Sequence, residues 1–159
     1  MTKDERMELF LSRFDCNPET GEVWKKSTGF VYNKPNKYGY VQITTSHNNK
    51  SRNMAAHRFV YLYVTGELPD ELDHIDTIRH NNSFSNLRIA SRTENNYNRN
   101  TVNKSTGVKG VYKNKSGSYS VRIVAGSKYK SFGSYEDLEL AELVAQEVRE
   151  KYHGEFCRH

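Results

Sequence analysis

Three short stretches of this chain carry side chains that could together hydrolyse a phosphodiester bond: Leu72-Asp73-His74-Ile75-Asp76, Ser85-Asn86-Leu87-Arg88 and Ser91-Arg92-Thr93-Glu94-Asn95. That reaction needs an activated water, charge stabilisation at the phosphate and help for the departing oxygen. A histidine at the end of a strand can take the proton from water, because its unperturbed pKa lies near neutrality. A carboxylate beside it and an amide oxygen on a facing helix can hold one Mg²⁺, which keeps most of its waters and needs few protein ligands. A second amide in the intervening loop can hold the imidazole in the useful tautomer. Adjacent strand residues point to opposite faces, so Asp73 and His74 should not chelate together; one serves a metal and the other the water.

The elements that must position these groups are legible in outline. Thr2 and Glu5 have capping-box spacing, and Met7, Phe10, Leu11 and Phe14 follow at helical intervals, which predicts a helix over about 3–14. After the turn signal at 17–21, Glu22–Lys26, Tyr38–Thr44 and Arg52–Ala56 read as strands, the last pair turned at His47-Asn48-Asn49-Lys50. His57 to Val64 is apolar at helical spacing and ends at Gly66, a C-cap position. Short strands at Leu72–Ile75 and Leu87–Ala90, then a helix opened by Ser91 and Glu94 and carrying Asn95 and Arg99, complete a ββα unit. The polar stretch 100–106 reads as a linker. Beyond it, Lys109–Lys113, Tyr119–Val124 and Lys128–Phe132 alternate like three antiparallel strands, joined at 116–118 and at Ala125-Gly126-Ser127. Ser134 and Asp137 then start a helix whose Leu138, Ala141, Ala145, Val148 and Tyr152 share one face.

Charge is distributed in blocks. The chain has 159 residues and a formal charge of +5. No acid occurs from Val23 to Gly66 or from Asn95 to Tyr135, whereas Glu67, Asp70, Glu71, Asp73 and Asp76 crowd between. Two cationic stretches around a compact acidic patch suit a phosphate-backbone binder with a cation site between its contacts. The two cysteines, Cys16 and Cys157, lack C-x-x-C spacing, so no zinc and a reducing compartment are expected. No apolar run approaches a membrane span, and no dimerisation signal is evident, so the expectation is a cytoplasmic monomer without a membrane partner.

The block from His57 to Arg99 resembles the HNH family of homing endonucleases, in its asparagine-ended, often phage-encoded branch. The resemblance implies double-stranded DNA as partner and Mg²⁺, or Mn²⁺ in its place, as cofactor. It makes His74 the general base, Asp73 and Asn95 metal ligands, and Asn86 the residue that orients His74. His57-Arg58 matches the family's text and is read as structural support. The chain departs from the pattern at Thr77, where the family usually has glycine, and at Asn95, where histidine is common.

The stretch 105–157, with Gly107-Val108-Lys109-Gly110-Val111-Tyr112 and Phe132-Gly133-Ser134-Tyr135, resembles the AP2 DNA-binding domain, a three-stranded sheet on a helix. On that reading Arg122 faces a base edge, while Lys109, Lys113, Lys115, Lys128 and Lys130 meet phosphates, with Arg99 a further DNA contact. The expected fold is thus α+β: a ββα-metal (HNH) nuclease domain with its N-terminal helix and basic sheet over 1–99, a linker over 100–106, and an AP2-like domain over 107–159. The function implied is a site-directed nicking or homing-type endonuclease. Competing with it are a DNA-binding regulator that has lost catalysis and an RNA-binding accessory protein, the latter resting only on charge and tyrosines.

Overall fold

A computed structural model describes residues 1–99, 102–126 and 128–157. Contacts divide the chain into two units, Met1–Ala90 and Ser91–His159.

In the first unit, helix α1 (Lys3–Arg13) opens on the expected capping box, with Thr2 and Glu5 each bonding the other's backbone N–H. The helix stops one residue early: Phe14 is its C-cap and starts β1 (Phe14–Asn17), which pairs with β2 (Glu22–Lys25) and through it β3 (Val31–Tyr32). A β-hairpin follows, β4 (Gln42–His47) with β5 (Lys50–Ala55). Its turn residues Asn48 and Asn49 have φ of 50° and 57°, the left-handed pair that a two-residue hairpin loop demands and asparagine tolerates. Tyr38 and Tyr40, expected at the start of that strand, instead form a tight turn. Asn36 explains the difference, because its Oδ1 accepts from the N–H groups of both tyrosines.

Helix α2 (Ala56–Thr65) ends at Gly66 in the left-handed conformation. Its Phe59, Val60 and Leu62 are fully buried with Phe10, Phe14, Val23 and Ile43, and this is the core of the unit. Phe14 packs edge-on to Phe59 at 6.0 Å and to Tyr32 at 5.7 Å, and stacks on Phe10 at 5.6 Å. Each such ring contributes about 2–3 kcal/mol by burial. Arg58 on α2 donates to the carbonyls of Pro69 and Asp70, strapping down the segment that leads into β6 (Leu72–His74). β6 pairs antiparallel with β7 (Leu87–Ile89), with Asp73 opposite Arg88 and His74 opposite Leu87. The turn at 17–21 closes on the loop between them. A Cβ on Gly21 would lie 2.2 Å from the Asn82 carbonyl carbon, so only glycine admits this approach.

In the second unit, α3 (Arg92–Tyr97) carries the expected Ser91–Glu94 capping box. β8 (Val111–Lys113), β9 (Tyr119–Ala125) and β10 (Lys128–Tyr135) form a sheet of order β10-β9-β8, packed on α4 (Leu138–His153). Val111, Val121, Ala141 and Ala145 are fully buried between sheet and helix. The helix N-cap is Asp137, whereas Ser134 still belongs to β10.

The division at Ala90 falls nine residues before the expected domain boundary, because α3 is built into the second unit. Tyr97 stacks on His153 at 3.8 Å, and its hydroxyl bonds both the N–H and the carbonyl of Gly126. Of the expected linker, Asn100 and Thr101 lie outside the described residues, as does Ser127 of the expected turn. The remainder is folded: Asn103 Oδ1 accepts from Ser105, and the Thr106 hydroxyl donates to the Val111 carbonyl. Among the described residues no helix is long and apolar enough to cross a membrane.

Candidate active site

β6 delivers the two expected residues to opposite sides, as strand alternation requires. Asp73 is 8% exposed and His74 5% exposed. Asp73 Oδ2 accepts from Arg88 Nε at 3.0 Å and Nη2 at 2.8 Å, a forked pair across the two-stranded ladder. A guanidinium held this way fixes the carboxylate and offsets the cost of burying it. Arg88 lies within a motif legible in sequence, but a cross-strand partner is identified only by register.

His74 lies in a ring cluster. Its imidazole packs edge-on to that of His57 at 4.8 Å, and Tyr40 stands 5.6 Å from His57 and 6.1 Å from His74. His74 Nε2 lies 3.5 Å from Asn82 Oδ1, and Asn82 is itself 3% exposed. Burial lowers the pKa of His74; the Asn82 contact and the carboxylates of Asp76 and Asp73 oppose that shift, and Arg79 adds to it. The imidazole is therefore neutral and able to accept a proton at pH 7. Burial presses His57 down to about 3, with His74 and Arg58 adding repulsion.

The structure gives Asn86 partners other than those expected. Its Oδ1 accepts from the Asp76 N–H at 3.0 Å, and its Nδ2 donates to Asp76 Oδ1 and to the Asn81 carbonyl. Asn86 thus cross-links the loop that follows His74, and Asn82 is the amide beside the imidazole. The spacing of eight residues between His74 and Asn82 carries no local signal, which is why sequence reasoning missed it. Burial disfavours the Asp76 carboxylate, but bonds from Asn81, the Ile78 N–H and Asn86 outweigh this and hold its pKa below the usual range.

Thr77, the departure from glycine, has φ +66°. The loop requires the left-handed conformation here, and its N–H closes the turn onto the His74 carbonyl at 2.9 Å. A β-branched residue in that conformation costs about 1–2 kcal/mol, and glycine returns part of this as unfolded-chain entropy, about 0.5–1 kcal/mol. Thr77→Gly is expected to raise stability by about 1 kcal/mol, read as a higher urea midpoint from the fluorescence of Trp24, the one tryptophan in the chain. An unchanged or lower midpoint would show that the threonine side chain contributes as much as the strain costs.

Asn95 lies on α3, half-buried, with its N–H bonded to the Ser91 carbonyl. Among the described residues no three or more His, Cys, Asp or Glu converge as metal ligands. The donor type nevertheless fits a hard divalent cation: Asp73 offers a pre-oriented, buried carboxylate, and magnesium can complete its shell with amide and water oxygens.

In the second unit the cations fall on different sides. Arg122 and Ser131 are paired on β9 and β10, as are Val124 and Tyr129, so these share the sheet face opposite the core residues Val121 and Ile123. Arg122 is exposed, as expected, and its guanidinium lies 5.8 Å from the Tyr112 ring centre. Tyr129, not singled out in sequence, is 74% exposed on that face. Lys130 pairs with Ile123 and so takes the helix side, its Nζ 4.8 Å from the Tyr152 ring. Lys128, opposite Ala125, shares that side. Lys109, half-buried, donates from Nζ to the carbonyls of Tyr97 and Arg99, where a cation meets the negative end of α3. Arg99 lies beyond the end of α3, exposed, and Lys113 and Lys115 are exposed.

Residues 54–97 match the family model described as HNH endonuclease. The chain is 33% identical over 107 residues to an uncharacterised HNH endonuclease of Acanthamoeba polyphaga mimivirus, over 65% of this chain and 56% of that protein. It therefore spans about half the length of the curated relative it matches. It is also similar to a solved structure of the HNH homing endonuclease I-HmuI, described as binding and cleaving DNA, with TM-score 0.47 and 22% identity over 76% of this chain and 71% of that one. His57, Asp73, His74, Asn86 and Asn95 all lie within the residues that match the HNH endonuclease family model.

Proposed function

We propose that this chain, whose residues 54–97 match the HNH endonuclease family model, is a metal-dependent HNH-type enzyme that hydrolyses phosphodiester bonds of double-stranded DNA, with His74 as general base. The observation that carries this reading is a buried His74 at the end of β6, next to an Arg88-anchored carboxylate at Asp73. An amide oxygen at Nε2 favours the tautomer with the proton on that nitrogen, leaving Nδ1 as the base. The water oxygen bonds to phosphorus as its proton passes to His74. The bond from phosphorus to the leaving strand then breaks, and the departing oxygen takes a proton from solvent. Asn86 and Asp76 keep the following loop in the shape that supports this histidine. Mg²⁺, or Mn²⁺ in its place, is the cofactor in this reading, with Asp73 as its carboxylate ligand and Asn95 assigned to it by resemblance. A bound divalent cation would supply positive charge where the phosphate develops negative charge.

The second unit serves as an AP2-like reader of DNA. An antiparallel sheet fits the major groove, and here Tyr112, Arg122 and Tyr129 present one exposed, cationic and aromatic face. With one nuclease segment in a monomer, the product is a single-strand nick, as in a homing-type enzyme that finds its site through a separate reader.

Purified protein is expected to convert supercoiled plasmid carrying source-genome DNA to open circles with Mg²⁺ or Mn²⁺, and not with EDTA. Retained DNA binding without conversion in either metal would overturn the nuclease reading in favour of a catalytically inactive regulator.

A further inference from the structure

We propose that Arg79 is a catalytic residue of this nuclease, its guanidinium binding the non-bridging oxygens of the phosphate attacked beside His74. The inference rests on the phosphodiesterase reading above and assigns a role that none of the residues discussed so far fills: direct charge stabilisation by the protein at phosphorus.

Three features of the first unit support it. Arg79 is held in place by the backbone of a distant turn, with Nη1 donating to the Tyr38 carbonyl at 2.9 Å and Cζ 5.3 Å from the Tyr40 ring centre. That same Tyr40 ring neighbours both His57 and His74, so the guanidinium and the base rest on one aromatic platform. The charge is close enough to bear on His74. Second, the turn is rigid. Asn36 accepts from Tyr38 and Tyr40, its N–H donates to the Tyr40 carbonyl, and Pro35 bridges to Val41. Gly39, at φ +84°, takes the left-handed conformation that closes this turn, and the Arg79 stem packs beside it.

Third, Arg79 keeps donors available. Of its five N–H groups one is spent on Tyr38, and among the described residues no carboxylate lies within ion-pair distance of it. The other arginines near the site are committed, Arg88 to Asp73 and Arg58 to the carbonyls of Pro69 and Asp70. An ordered, exposed guanidinium without an anion among the described residues, sharing the Tyr40 ring with His74, suits two phosphate oxygens, which match its planar fork. A lysine offers a point charge and would replace it only in part.

The test compares wild type, Arg79→Ala, Arg79→Lys and His74→Ala in single-turnover plasmid nicking at saturating protein, alongside DNA affinity and thermal unfolding. Arg79→Ala is expected to slow nicking about 100-fold with affinity changed only a few-fold, as for loss of one transition-state donor. Arg79→Lys is expected to recover about 10-fold of that, and added guanidinium to restore part of the alanine variant's rate. Should Arg79→Ala misfold, the lysine variant and its rate carry the comparison. If His74→Ala abolishes nicking while Arg79→Ala cuts at the wild-type rate, the Arg79 role is overturned and the base reading stands. Weakened binding with an unchanged saturated rate would make Arg79 a groove contact and also overturn it. If His74→Ala still nicks, the base reading fails whatever Arg79 does, and an inactive wild type removes both.

Discussion

His74→Ala is expected to lower the single-turnover rate of DNA nicking by about 1,000-fold while leaving DNA affinity within a few-fold. A positioned general base contributes on the order of 10² to 10⁴ to a rate, and about 1,000-fold is the middle of that range; burial lowers the pKa of His74, which keeps it unprotonated at neutral pH. Within its unit's interior the imidazole packs on the rings of His57 and Tyr40 and meets the Asn82 amide. Truncation therefore leaves a small cavity as well as a missing base, and lost stability could imitate lost chemistry. His74→Gln separates the two, since it keeps a polar side chain of similar reach but cannot take a proton. The cavity in the alanine variant should also admit free imidazole. Rescue of nicking by added imidazole, increasing with the fraction of neutral imidazole, is the signature of a base and would not follow from a structural role. Wild-type rates in both variants would remove His74 from the chemistry.

The residues behind this expectation were unevenly legible in the sequence, for reasons that are local. Capping boxes at Thr2 and Ser91, the C-cap at Gly66 and the Asn48-Asn49 hairpin are written in a few contiguous residues, and the elements they bound appear where spacing puts them. β1 was hidden because Phe14 continues the helical apolar phase of Met7, Phe10 and Leu11, yet its burial is achieved as a strand residue. The two residues of β3 offer no periodicity at all. Within the site, Asp73 and His74 follow from strand alternation, but their partners do not. Arg88 reaches Asp73 through cross-strand register, and Asn82 reaches His74 through a loop whose path is set by Gly21 packing beneath it. The lysines of the second unit make the same point. A basic residue in a strand looks alike on either face, and only the register of Lys130 with Ile123 puts it beside Tyr152. The bonds of Lys109 are hidden for a similar reason, because the carbonyls it meets, of Tyr97 and Arg99, lie ten or more residues earlier.

Acid should weaken the first unit well before its carboxylates titrate, because His57 is folded in its neutral form. The ring is 8% exposed, packed against His74 and Tyr40, and its Nδ1 has no hydrogen-bond partner among the described residues. Burial, then the neighbouring His74 and Arg58, hold its pKa at about 3 against an ordinary value of 6.5. A group whose folded pKa lies below its unfolded pKa takes up its proton on unfolding. Its contribution is therefore fully present above pH 6.5 and lost as the pH falls toward 3. Over that whole window the shift corresponds to roughly 4–5 kcal/mol, of which about 2 kcal/mol disappears between pH 7.5 and 5. That upper window is the useful one, since Asp and Glu remain ionised through nearly all of it. Trp24 on β2 places the fluorescence reporter in this unit. Urea unfolding at pH 7.5, 6 and 5 should show the wild-type midpoint falling steadily. His57→Phe, which keeps a ring in the core but cannot be protonated, should show a shallower fall, with the remainder due to His74, whose pKa is depressed in the same direction. Equal pH dependence in wild type and His57→Phe would mean that His57 is charged, or reached by water, in the folded protein. The tightly packed pair of imidazoles would then be an incorrect account of how this unit keeps its base neutral.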